Sequence, residues 1–201
     1  MSGVYTESLN NLIEEFGKLP GIGPRTAERL AFYILNTDTA AAMALARAIA
    51  DVKNKTTRCQ ICNNLSEQNI CAICADTRRD KSAVCVVEQA KDIISLEKTS
   101  CCNWVYHVLG GHIAPLEGVE PEDLTINGLL ERVRAGGIKE VIMATNPDLA
   151  GDGTALYISS LLRPSGVKIT RLARGLPAGG TIEYASGKIL TDAITGRHPM
   201  Q

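Results

Sequence analysis

The chain has 201 residues, of which 45% are hydrophobic and 21% charged, and its net charge is −1 at neutral pH. These values are ordinary for a globular protein, and they exclude nucleic-acid binding driven by overall charge. Aromatic residues make up only 4%, which disfavours binding of bases on an aromatic platform. No apolar run approaches the ~20 residues of a membrane span, and the polar start is unlike a secretory signal. We therefore expect a cytoplasmic protein, in which structural disulfides are rare.

Residues 1–58 are predicted to be helical. Apolar residues recur at helical spacing from Leu9 to Phe16, with Glu14 and Glu15 on the opposite face. The pattern stops at "GKLPGIGP", resumes as "RTAERLAFYIL", and is followed by an alanine-rich helix that Thr37 or Asp38 would cap. Seven lysines and arginines stand against six acidic residues in this segment. Any DNA contact must therefore come from a local patch.

The turn "LPGIGPRTAERL", residues 19–30, has the parts of a phosphate-binding site. Gly21 and Gly23 permit a tight turn and a close approach of the backbone to a ligand. Pro24 suits the first turn of the second helix, whose free N–H groups attract an anion. Arg25 and Arg29 would share one face near its start. The alternative is a packing turn whose two arginines are solvated.

Four of the seven cysteines lie within sixteen positions, in two Cys-x-x-Cys pairs separated by eight residues. This pattern favours a tetrahedral zinc site, structural because all four ligands are cysteine. Another metal or unliganded thiols are the alternatives. Residues 59–80 are too short and polar to bury a core, so a metal crosslink would stabilise them. The predicted ligands are Cys59, Cys62, Cys71 and Cys74; of the others, Cys85 is expected in the core, and Cys101 and Cys102 have no assigned role.

Strands and helices alternate over residues 81–176, which predicts a parallel sheet with helices on its faces. The predicted strands are 83–88, 104–111, 139–146 and 167–173. The predicted helices are 90–98, 121–137 and 152–164. The tail, residues 177–201, has a predicted short strand "TIEY" and a final helix through "ILTDAI". The fold class is therefore α+β and multi-domain.

A series of segments, in order along the chain, resembles the RecR family of bacterial recombination mediators. The segments are "LPGIGPRTAERLAF", the four cysteines, "VCVVE", "GVEPEDL", "EVIMATNPD" and "ARGLPAGGTIEY…TGR". The resemblance implies a helix-hairpin-helix domain (1–58), a four-cysteine zinc finger (59–80), a Toprim domain (81–176) and an oligomerisation tail (177–201). It also implies a non-enzymatic DNA-repair protein of the nucleoid that forms a ring-like tetramer. With RecO and RecF, such a protein helps load RecA at single-stranded gaps. The family's DNA-facing basic residues correspond to Arg25 and Arg29.

In enzymes, Toprim domains hold Mg²⁺ on a glutamate and an acidic pair at strand ends. The resemblance places Glu88 and Asp152 at such positions, but Ala150 replaces one acid of the pair. We expect this acidic surface, including Asp148, to dock partners such as RecO rather than to catalyse. Asp152 would cap the helix that starts there or place a negative charge in its first turn. Asp148 would stabilise the turn after Pro147. Two alternatives remain, a minimal Mg²⁺-dependent nuclease and an adaptor that binds only proteins.

Two further expectations concern the middle of the chain. His107 and His112 lack a third ligand at metal spacing and are expected to be packing or loop residues. The predicted zinc finger, residues 59–80, lies between two unlike halves of the chain, and we expect it to fix their relative orientation, which a flexible linker could not do.

The weak positive charge of residues 1–58 also suggests that several copies must bind DNA together, because linking binding sites adds on the order of 10²–10⁴ in avidity.

Overall fold

A computed structural model describes residues 4–199 and divides the chain into two compact units, one up to Thr56 and the other from Thr57 onward. The first is helical, and the second contains all the strands of the described residues. Within residues 4–199 no helix combines the length and the apolar character needed to cross a membrane.

The first unit consists of α1 (Glu7–Gly17), α2 (Pro24–Asn36) and α3 (Thr39–Lys55). Thr6 caps α1 through its hydroxyl, and Asp38 caps α3 by accepting a hydrogen bond from the Ala41 N–H at 2.9 Å. Helices α1 and α2 pack against each other, with Leu9, Ala27 and Ala31 buried. The two alanines are small, and this lets the helix backbones approach closely.

Helix α3 has no buried residue. Leu45, Ile49 and Val52 recur at spacings of four and three, so they share one face, and each is at least 44% exposed. A helix packed only within its own chain normally buries such a face against a core.

The second unit is built on a four-stranded parallel sheet of β3 (Asp80–Val87), β4 (Trp104–Val108), β5 (Glu140–Met143) and β6 (Lys168–Arg171). Their order is β4-β3-β5-β6, which confirms the predicted parallel sheet. Because β3 pairs with both β4 and β5, the connections after β3 and β5 leave towards opposite faces. Crevices at such a point of strand reversal are where ligands bind open α/β sheets.

Helices cover both faces of this sheet. Helices α6 (Ile126–Arg134) and α7 (Leu149–Leu162) pack on one face, where Leu129 and Ile158 are completely buried. Helix α5 (Ala90–Glu97) covers the other face through Ile93. Cys85 lies in this second core and is fully buried, as expected. The tail ends in α8 (Gly187–Thr195), close to the predicted final helix.

The cysteine segment forms a small module at the start of the second unit. Strands β1 (Thr57–Arg58) and β2 (Leu65–Ser66) pair antiparallel, and the short helix α4 (Ala72–Ala75) begins directly after Cys71. The loop between β1 and β2 contains the first cysteine pair, and α4 follows the first cysteine of the second pair.

Three predicted elements differ from the structure. The helix predicted from Pro121 is a 3-10 turn at Pro121–Asp123 followed by α6, because Leu124 is buried in the core and the Thr125 N–H and hydroxyl bond to carbonyls of Leu109 and Val108. The strand predicted for "TIEY" is wrong, since Ile182–Tyr184 is a 3-10 turn. The helix predicted from Asp152 begins at Leu149.

Candidate functional site

The four cysteines of the predicted site lie together. Their sulfur atoms are all within 4.8 Å of one another, and each residue is at most 5% exposed. Sγ of Cys62 lies 3.5 Å from that of Cys71. Four sulfurs at this spacing fit a tetrahedral zinc ion, with Zn–S bonds of about 2.3 Å. Within residues 4–199 no other group of three or more His, Cys, Asp or Glu side chains converges in this way.

Local backbone bonds hold the cysteine loops in place. The Cys59 N–H donates to the Asn64 carbonyl at 2.8 Å, and Asn63 takes a left-handed conformation with φ 60°. Burial opposes ionisation of Cys59, but the N–H groups of Cys71, Cys62 and Ile61 outweigh it and lower its pKa to about 7. These N–H groups favour the thiolate of Cys59, the form that binds metal, whereas the Cys74 side chain raises the pKa of Cys62 and burial raises that of Cys71.

The cysteine module is attached to the edge of the parallel sheet. The Val108 N–H of edge strand β4 donates to the Cys62 carbonyl at 2.8 Å. Ile73 packs both against the cysteines and against the core below α5. The module therefore covers an otherwise open strand edge, which protects it from pairing with other chains.

The turn between α1 and α2 places its glycines at the positions expected from the sequence. Gly21 has φ 77°, which requires glycine, whereas Gly23 has an ordinary extended conformation and caps α2. A Cβ at either position would meet no heavy atom within 4 Å, so the turn backbone is open to a ligand. Pro24 occupies the first turn of α2, as predicted.

Arg25 and Arg29 lie on this helix next to the turn, and both are exposed. Neither forms an ion pair with a carboxylate among residues 4–199. Lys18, in contrast, pairs with Glu15 at 2.7 Å. The two arginines are therefore the unpaired cations beside the open backbone of the turn.

Glu88 directly follows β3 and is only 2% exposed. Its carboxylate accepts hydrogen bonds from the backbone N–H of Asn146 at 2.8 Å and from the amide of the same residue at 2.7 Å. Nδ1 of His112 lies 3.1 Å from Oε2 of Glu88. The carboxylate thus joins the ends of β3 and β5 and the loop after β4.

Asp148 takes the capping role that was one of the two expected for Asp152, whereas Asp152 keeps the other and places a negative charge in the first turn of α7. Asp148 caps α7, with its carboxylate accepting a hydrogen bond from the Gly151 N–H at 2.8 Å. Asp152 instead pairs with the guanidinium groups of Arg171 and Arg174. The hydrogen bonds from Arg174, and then those from Arg171, hold the pKa of Asp152 well below its usual range. The capping residue therefore lies one turn before the position predicted from the sequence.

Comparison with known proteins agrees with this arrangement of modules. Family models match residues 9–53 as the RecR helix-hairpin-helix, 56–76 as the RecR four-cysteine zinc finger domain and 82–173 as a Toprim domain. The chain is similar to the recombination protein RecR of Moorella thermoacetica, at 50% identity over 98% of this chain and 99% of the relative. It is 49% identical to RecR of Rhodopirellula baltica, over 98% of each chain. The chain belongs to the RecR family.

Membership in the RecR family confirms several expectations. The protein has a role in DNA repair and recombination, and its four-cysteine zinc finger carries a structural zinc ion. The helix-hairpin-helix identifies the first unit as DNA-binding. The composition excluded binding through overall charge, so this unit must bind DNA through a local feature.

Sequence patterns did not predict some of the residues at the carboxyl edge of the RecR sheet. Asn146, Arg171 and Arg174 bind the two acidic side chains, and His112, expected to be a loop or packing residue, contacts Glu88. Asn146 is the last residue of the predicted strand 139–146, which was a usable signal, but the arginines lie nineteen or more residues beyond Asp152. His107, by contrast, is a buried packing residue with Nε2 3.0 Å from the Thr125 carbonyl.

Proposed function

We propose that this RecR family member is a non-enzymatic mediator that grips the DNA backbone through the turn 19–30, with Gly21, Gly23, Arg25 and Arg29 as the contact residues. The observation that carries the proposal is the pair of unpaired arginines beside an exposed turn. Backbone N–H groups at a helix start and arginine side chains bind phosphate without reading sequence. Such a grip is suited to gaps of any sequence.

Oligomerisation is the second part of the proposal. A few phosphate contacts give affinities of only about 10⁻⁴–10⁻⁶ M, whereas joined copies add avidity. The exposed apolar face of α3 and the exposed tail residues Ile182 and Tyr184, at 64% and 84%, support contacts between copies at both ends of the chain. A ring-like tetramer would enclose DNA and retain it.

Partner docking is the third part. We infer that RecO and RecF bind this clamp in the bacterial cytoplasm, at the nucleoid, and that the complex assists RecA loading at single-stranded gaps. We call the carboxyl edge of the parallel sheet the Toprim edge. There Glu88 is buried, while Asp148 and the neighbouring Leu149 are exposed, Leu149 to 89%. A partner reaching this edge would therefore meet Asp148 and Leu149 directly, with Glu88 supporting the loop from beneath.

The carboxylates at this edge support a non-enzymatic role. Both oxygens of Glu88 accept hydrogen bonds from Asn146, and Asp152 is neutralised by two arginines. Mg²⁺ sites use carboxylates that are free to coordinate the ion. The minimal nuclease predicts Mg²⁺-dependent cleavage of DNA, and the protein-only adaptor predicts that DNA affinity is absent or independent of salt.

Fluorescence anisotropy with a labelled oligothymidine tests the proposed grip. The double variant Arg25→Ala/Arg29→Ala should weaken binding by at least about tenfold, because two phosphate contacts per copy are lost. The matched control is Arg47→Ala/Lys53→Ala, which removes the same charge from exposed positions on α3. Equal loss in both variants would show that only net charge matters and would overturn the assignment of the grip. The oligomer should persist in both, as measured by light scattering.

A further inference from the structure

A groove of about 620 Å³ runs between the cysteine module and α5. Leu65 and Ile73 form its wall on the module side, and Ile93 and Ile94 form its wall on the helix side. Leu65 and Ile94 are each 58% exposed, although both belong to ordered elements beside a core. Exposed aliphatic side chains that face each other across a groove are characteristic of surfaces that bind another molecule.

The helical rim of this groove carries unpaired positive charge. Lys91, Ile94 and Lys98 follow each other at spacings of three and four, so they form one stripe along α5. Both lysines are exposed, and neither forms an ion pair within residues 4–199. A smaller cavity of about 230 Å³ shares Leu65 and Ala90 with the groove and is lined by Arg58. The groove is therefore aliphatic inside and positively charged around it.

The acidic residue that lines the groove is already engaged. Glu97 accepts a hydrogen bond from Nη1 of Arg79 at 2.8 Å and from the Tyr106 hydroxyl at 2.6 Å. The bonds from Arg79 and then from Tyr106 lower the pKa of Glu97 despite its partial burial. Its charge is thus balanced from within the protein and does not neutralise Lys91 or Lys98.

The walls of the groove are held in a fixed relation to each other. The Cys62 carbonyl bonds to the Val108 N–H of β4, and Ile73 packs on the core beneath α5. Because the groove is already formed and neither wall has to rearrange, a bound peptide would cause only a small loss of conformational entropy in the protein.

The chemistry of the groove selects its occupant. Its lining residues include no aromatic side chain on which a base could stack. A nucleic-acid strand would thus leave the aliphatic walls in contact with charged phosphates. We propose that the groove binds an acidic peptide segment of a partner protein, with aliphatic or aromatic side chains entering between Leu65 and Ile94 and carboxylates meeting Lys91 and Lys98. None of the residues that line the groove belongs to the proposed DNA grip or is Glu88, Asp148 or Leu149 of the Toprim edge.

The experiment selects binders from a random dodecapeptide display library on the zinc-loaded full chain and measures the selected peptides by anisotropy. The expected peptides are acidic with two or more large apolar residues. Their affinity should fall at least tenfold for Ile94→Ser and for Lys91→Glu/Lys98→Glu. Ile61→Ser and Ile70→Ser are the controls, since these isoleucines are also exposed on the cysteine module but do not line the groove; they should leave the affinity unchanged.

Several results would overturn the proposal. One is the absence of enriched peptides, another is enrichment of basic or uncharged peptides, and a third is equal binding to Ile94→Ser and the parent chain. Zinc content and thermal midpoint establish that each variant is folded. DNA affinity should be the same in Ile94→Ser as in the parent, so a failure here is distinguishable from a failure of the DNA grip.

Discussion

The side chain of Glu88 holds Asn146 by two hydrogen bonds, of 2.8 Å to its backbone N–H and 2.7 Å to its amide. This contact leaves room for only a hydrogen atom at Gly151. A Cβ there would lie 2.2 Å from the Asn146 carbonyl oxygen and 2.8 Å from Oε1 of Glu88. The start of α7 therefore depends on a glycine that has no Cβ rather than on an unusual backbone conformation.

Gly151→Ala should destabilise the protein by at least about 2 kcal/mol, because backbone atoms must move to admit the methyl group. Gly153→Ala is the matched control, since a Cβ at that position meets nothing within 4 Å and alanine favours a helix by about 0.5–1 kcal/mol. Urea denaturation of the two variants measures the difference. Equal stability of the two variants would contradict the close contact.

Removal of zinc should unfold the cysteine module before the sheet. A structural zinc contributes an apparent ~10–16 kcal/mol to small sites of this kind, and residues 57–76 have little core of their own. Metal analysis should give one zinc per chain, and chelation should expose the amide of Val108, which bonds to the Cys62 carbonyl, to hydrogen exchange. Amides of central strand β5 should remain protected.

Cys62→Ser should reproduce the effect of chelation, whereas Cys101→Ser, which changes an exposed cysteine outside the cluster, should bind zinc normally. A metal-free chain with a fully protected Val108 amide would show that zinc does not stabilise the module.

Stability should fall as the pH drops below the usual pKa of histidine. Burial lowers the pKa of His107 from 6.5 to about 4, so the unfolded chain binds a proton across this window and the folded chain does not. The contribution is fully present above the unfolded pKa and is lost between these values, up to roughly 3 kcal/mol. Urea midpoints at about pH 7 and about pH 5 measure it. Replacement of His107 by Gln should flatten the dependence; an unchanged slope would assign it to other groups.

The face of α3 formed by Leu45, Ile49 and Val52 should be an interface between copies. Ile49→Glu/Val52→Glu should reduce the molar mass in solution, because burying two carboxylates against apolar residues is costly. The matched control is Ala50→Glu/Asn54→Glu, which adds two carboxylates at exposed positions on the opposite side of the same helix. Light scattering distinguishes the outcomes, and an unchanged mass for the first variant would place self-association elsewhere.

Local signals predicted much of this molecule. The cysteine spacing predicted the metal cluster, and "LPGIGP" predicted the turn with its glycine at φ 77°, because each feature depends on residues close in sequence. The Glu88–Asn146 contact joins residues 58 positions apart, and no local pattern encodes it. The start of α7 was predicted too late for a related reason. Either Asp148 or Asp152 could cap a helix, and the sequence near them does not show that Arg171 and Arg174 pair with Asp152 and leave Asp148 as the cap.

In the proposed function, Arg25 and Arg29 bind DNA phosphates. The most direct measurement is the dependence of DNA affinity on salt, between about 50 and 200 mM, for the parent chain and for Arg25→Ala/Arg29→Ala. Each phosphate contact on a single strand contributes a slope of about 0.7, so the variant's slope should be shallower by about 1.4 for each engaged copy. Identical slopes in the two proteins would show that neither arginine contacts a phosphate.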